Sequence, residues 1–132
     1  MRFIPTRWHA VLDYLMGMIL IVSPWILGFS QNGPETWVPV CLGIGVLLYS
    51  AATNYEFGAF KLLSMRAHIV LDILGGLFLA ASPWIFGFAD FVYLPHLILG
   101  LGEAAAALMT KPVPEAGAAR THTPSRWEQA TE

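Results

Sequence analysis

Two histidines in this chain stand one helical turn ahead of an aspartate: His9-x-x-x-Asp13 and His68-x-x-x-Asp72. On a helix, residues four apart share a face, so each carboxylate can accept a hydrogen bond from its own imidazole. A further acid, Glu103, lies inside an apolar run with no partner on its own turn. It either reaches His68 or Asp72 from across a bundle or stays as the neutral acid. Groups of this kind tie helices together, relay protons or hold a cofactor. Which of these applies depends on the elements that carry them.

Hydrophobic residues make up 56% of the 132-residue chain and charged residues 12%. No charge occurs between Asp13 and Glu35, between Glu35 and Glu56, or between Asp72 and Asp90. A bilayer-spanning helix needs about 20 apolar residues. Four spans are expected, at 8–29, 36–54, 67–89 and 92–110, the last broken only by His96 and Glu103. A soluble bundle would need a polar face on each helix, and these have none wide enough. The opening "MRFIPTRW" reads as the start of a retained first helix rather than a cleaved signal. The lone Cys41 forms no internal disulfide and reads as a small packing residue.

The chain is duplicated. "RWHAVLDYLMGMILIVSPWILGF" (7–29) aligns without a gap on "RAHIVLDILGGLFLAASPWIFGF" (66–88), with 14 of 23 positions identical. The second helices match more weakly, "LGIG" (42–45) against "LGLG" (99–102). This predicts an all-α membrane fold, with four transmembrane helices built as two tandem parallel helix-hairpin repeats. The doubled R-x-H-x-x-L-D…S-P-W-I-x-G-F resembles the SPW-repeat family of small bacterial and archaeal integral membrane proteins. The resemblance covers roughly 7–110. It implies paired-helix repeats in a membrane and brings no reaction with it.

The stripe starting at His9 continues through Asp13, Gly17, Pro24 and Gly28, and the one starting at His68 through Asp72, Gly76, Pro83 and Gly87. A matching stripe on helix 4 holds His96, Gly100, Glu103 and Ala107; helix 2 has Pro39, Gly43, Val46 and Ser50. Small residues let membrane helices approach closely. Gly17, Gly28, Gly76, Gly87 and Gly100 are therefore expected in the inner seam. By rise per residue, the three acids lie roughly 9–12 Å inside the basic anchors Arg7, Arg66 and Lys111.

The repeated heptad reads as a bend and anchor at the other end. Pro24 and Pro83 each remove a donor and crowd the carbonyl four residues back, that of Leu20 or Leu79. Ser23 and Ser82 can hydrogen-bond carbonyls one turn back. Trp25 and Trp84 suit an interface, and the glycines allow the turn.

All seven basic residues fall in the N-terminus, the middle loop or the tail. The positive-inside rule then puts both termini on the cytoplasmic side of an inner membrane. The expected divisions are a first repeat at 1–55, a connecting segment at 56–66, a second repeat at 67–110 and a disordered tail at 111–132. The segment "NYEFGAFKLLSMR" is either a short amphipathic surface piece or an ordinary loop. No catalytic motif, cofactor signature or nucleic-acid surface is present. The expected role is a structural or accessory subunit, in contact with lipid and assembled as a homo-oligomer or in a larger membrane complex. One alternative is proton or ion handling by the His9, Asp13, His68, Asp72 and Glu103 cluster. Another is haem or metal binding through His9 and His68, which the acid one turn from each histidine leaves without need.

Overall fold

The computed structural model describes residues 2–113, and among these the regular elements are all helices. Four helices follow in order: α1 (Thr6–Ile26), α2 (Pro34–Ala52), α3 (Met65–Ile85) and α4 (Leu94–Met109). The first three are long and apolar enough to cross a membrane. The fourth, expected at 92–110, has 16 residues. At 1.5 Å per residue it spans about 24 Å, less than a typical hydrocarbon core. Most of the expected tail, with Arg120, Arg126 and Trp127, lies outside the described residues.

α1 packs chiefly against α2, and α3 against α4. Glycine makes both crossings close. A Cβ on Gly43 would sit 2.6 Å from the Gly17 carbonyl oxygen, and one on Gly100 would sit 2.4 Å from that of Gly76. These glycines therefore pack within each helix pair. Gly28 and Gly87 do not belong to the seam expected of them. Both lie beyond their helices, at φ 72° and 73°, with nothing within 4 Å of an added Cβ.

Their position follows from how the heptad stops a helix. Pro24 and Pro83 leave the carbonyls of Leu20 and Leu79 without a backbone donor. Ser23 Oγ donates to Leu20 O at 3.1 Å, and Ser82 Oγ to Leu79 O at 2.7 Å. The proline carbonyls then accept from the amides of Phe29 and Phe88, both at 2.9 Å. With a left-handed glycine in between, this is a Schellman stop. It ends α1 at Ile26 and α3 at Ile85, three or four residues earlier than the apolar runs alone indicate. Trp25 and Trp84 face outward, and each is more than half exposed. Ser82→Ala is expected to cost about 0.5–1.5 kcal/mol in the native chain. In a Pro83→Ala background it should cost less, because residue 83 then supplies the missing N–H. Thermal unfolding of the four chains checks this.

The helices also close into a ring at the opposite end. The amides of Phe3 and Ile4 donate to Met109 O, and Lys111 N donates to Ile4 O. In the other half, the amides of Leu62 and Leu63 donate to Ala52 O, and Asn54 N donates to Leu63 O. The end of α4 is thereby tied to the start of α1, and the end of α2 to the start of α3. The connection from 53 to 64 is irregular and exposes Phe57, Phe60 and Leu62.

Candidate functional site: a crossed histidine–aspartate cluster

His9, Asp13, His68 and Asp72 meet where α1 and α3 face each other at this tied end. One donor atom from each lies within 4.8 Å of the other three. All four side chains are at most 1% exposed. The pairing differs from that expected from spacing. His9 Nε2 lies 3.0 Å from Asp72 Oδ2 but 3.4 Å from Asp13 on its own helix. His68 Nε2 lies 2.9 Å from Asp13 Oδ2 and 3.2 Å from Asp72 on its own helix. The shorter contact of each histidine runs across to the other helix. The rings stand edge to face, with centroids 5.4 Å apart.

Two threonines that the sequence reading passed over hold the rings. His9 Nδ1 lies 3.1 Å from Thr110 Oγ1, and His68 Nδ1 lies 2.8 Å from Thr53 Oγ1. Each hydroxyl donates its own proton to a helix carbonyl, Ala106 O at 2.7 Å and Tyr49 O at 2.6 Å. The hydroxyl oxygen can then only accept from the ring, so each histidine carries its proton on Nδ1. The threonines stand just beyond α4 and α2, 57 residues apart, the same offset that relates "LGIG" to "LGLG". That second-helix offset is the signal that could have found them.

Two tyrosines complete the cluster. Tyr49 donates to Asp72 Oδ1 at 2.6 Å, and Tyr55 to Asp13 Oδ2 at 3.3 Å. Tyr55 lies in the connection after α2. Burial, with the Asp13 carboxylate beside it, pushes its phenol well above the usual range, so it remains a donor.

Glu103 is buried on α4, but it stays outside the four-residue group. Its Oε1 has no hydrogen-bond partner among the described residues. The expected reach to His68 or Asp72 is not made as a hydrogen bond. Glu103 instead borders a largely apolar cavity of about 230 Å³, together with Tyr49, Asp72, Leu20 and Leu79. Val46 occupies the equivalent place on α2. Glu103→Val removes a buried, unpaired polar group and restores the repeat. It is expected to raise stability by about 1–3 kcal/mol in thermal unfolding.

The outer ends hold a separate contact. Phe29 and Phe88, the last residues of the two heptads, flank the His96 ring at 5.2 and 5.0 Å. His96 Nε2 donates to Glu35 O at 2.9 Å. Both heptads thus close on one α4 side chain. Since α1 and α3 also meet at the cluster, they run in the same direction.

Three helices long and apolar enough to cross a membrane, a shorter fourth and a polar cluster sealed among them define a small helical membrane protein. The chain belongs to the SPW repeat domain family, whose model matches residues 7–110. No curated protein and no solved structure matches it.

Proposed function

We propose that this protein is a structural or accessory subunit of the bacterial cytoplasmic membrane, without catalysis of its own. In this reading the His9–Asp13–His68–Asp72 cluster is a clamp. The observation that carries it is closure. The four side chains are sealed from solvent, and the shorter contacts cross from one half of the chain to the other. Thr53 and Thr110 extend the clamp to the ends of α2 and α4. Of the four residues Asp72 alone borders the neighbouring cavity, and the polar atoms of the cluster lie against one another.

Arg2, Arg7, Lys61, Arg66 and Lys111 lie at the clamp end, which supports a cytoplasmic placement of that end. Assembly follows from surface. The helices expose large side chains such as Leu48, Leu74, Ile98 and Leu101. Lipid covers such faces, and second copies or partner helices pack on them through van der Waals contact. Mass measurement in mild detergent tests this. An assembly heavier than one 14.5 kDa chain, or a stoichiometric co-purifying membrane protein, is expected. A lone monomer would count against the subunit reading.

The proton-handling alternative rests on Glu103, whose free oxygen borders the cavity beside Asp72. Glu103→Gln that abolished proton flux into liposomes while leaving folding intact would favour it over the clamp.

A further inference from the structure

The clamp raises a question of charge. With Nδ1–H committed to Thr53 or Thr110, each Nε2 presents a lone pair toward the carboxylates. Lone pairs do not face carboxylate oxygens at 2.9–3.4 Å unless a positive charge lies between them. Two protons could supply it, one on each ring. An N–H, however, points along one direction, and each Nε2 lies within 3.4 Å of an oxygen from both aspartates. Two imidazolium rings would balance the two carboxylates as well as one dication does, so the distinction is one of direction. The four side chains share a single focus, and one cation there serves all of them.

We infer that His9, His68, Asp13 and Asp72 form a binding site for one divalent transition-metal ion. The inference rests on the clamp reading and names what closes the clamp. Two imidazoles and two carboxylates make a borderline donor set, suited to zinc, cobalt, nickel or ferrous iron rather than to calcium or magnesium. Bonds of 2.0–2.1 Å in a tetrahedron place ligand atoms about 3.3 Å apart; three contacts made through Asp13 Oδ2 and Asp72 Oδ2 stand at 2.9–3.2 Å, and one donor atom from each of the four residues lies within 4.8 Å of the rest. Charge balances, because two carboxylates and one dication sum to zero with both histidines neutral. The threonines at Nδ1 and the tyrosines on the carboxylates are the outer hydrogen bonds that orient such ligands. The duplication supplies one His–Asp pair from each half, so each copy alone provides only half the site. The histidine neighbours that made a metal needless from spacing alone are its other ligands.

The test uses the full chain without a polyhistidine tag, purified in detergent without chelator. Elemental analysis should find about one equivalent of transition metal per chain. After stripping with EDTA or phenanthroline, added Co²⁺ should give visible ligand-field bands, and Zn²⁺ should raise the melting temperature. His68→Gln should lose the bound metal and the Co²⁺ bands, whereas His96→Gln should keep both. Thr53→Val, which leaves the four ligands in place, should weaken Co²⁺ binding by about 10–100-fold. Absence of metal and of Co²⁺ bands in a folded wild-type chain, with melting indifferent to EDTA, would overturn the metal site. If Asp72→Ala still destabilised that metal-free chain, the clamp reading would stand without it. If Asp72→Ala changed nothing, the clamp itself would be wrong.

Discussion

Asp72→Ala should destabilise the protein by about 3–5 kcal/mol, the largest loss expected from any single side chain outside the helix crossings. The carboxylate accepts from Tyr49 at 2.6 Å, and it lies 3.0 Å from His9 Nε2 and 3.2 Å from His68 Nε2. Its removal strands three polar groups at a buried position. Breaking a buried charged pair from one side costs far more than deleting both partners, because the remaining group is left desolvated and unmatched. Asp13→Ala should behave alike, since Asp13 has the equivalent contacts to His68 and Tyr55. Asp90→Ala is the control. That residue is exposed in the loop before α4 and should shift stability by less than about 0.5 kcal/mol. Thermal unfolding in one detergent, followed by tryptophan fluorescence, measures all three.

The second large effect is steric. Gly100→Ala would place a methyl group 2.4 Å from the Gly76 carbonyl oxygen and 2.6 Å from Ala80 N. Both obstacles are backbone, so no side chain can swing aside, and α3 and α4 must separate. Overpacking of this kind costs about 1–3 kcal/mol, and the separation also loosens the contacts along the whole crossing. Gly43→Ala meets the Gly17 carbonyl oxygen at 2.6 Å and should behave alike. Gly45→Ala and Gly102→Ala provide the contrast. Neither meets an atom within 4 Å, and alanine favours a helix by up to about 1 kcal/mol over glycine. Those two should be neutral or slightly stabilising. Equal losses at Gly45 and Gly100 would contradict the close crossing.

Much of this was legible in the residues. The ungapped duplication exposed the two equivalent halves, and charge-free runs located the helices to within a few residues. The stripe from His9 through Asp13 to Gly17 is a real buried face, repeated from His68 to Gly76. The serine beside each proline does what its chemistry indicates. Spacing along one helix, however, shows which side chains share a face and not which neighbour they meet. His9 therefore read as the partner of Asp13, although its nearer partner is Asp72. The choice is made by ring orientation, set by Thr110 and Thr53, which lie past the helix ends where periodicity carries no information. Gly28 fell on the seam by counting alone, but Pro24 and Ser23 had already ended the helix before it. Phe29 and Phe88 looked like further apolar residues because their target, His96, lies more than sixty residues away from one and eight from the other.

A double-mutant cycle tests the crossed clamp most directly. Asp13→Ala, His68→Ala and the double variant give the coupling across the two halves; Asp13→Ala, His9→Ala and their double give the coupling within α1. Unfolding of the full chain is the readout in each case. The contacts at 2.9 and 3.4 Å predict a crosswise coupling of about 1–3 kcal/mol, larger than the coupling within the helix. A crosswise coupling near zero, with the full interaction held between His9 and Asp13, would contradict the clamp and return each His–Asp pair to its own helix.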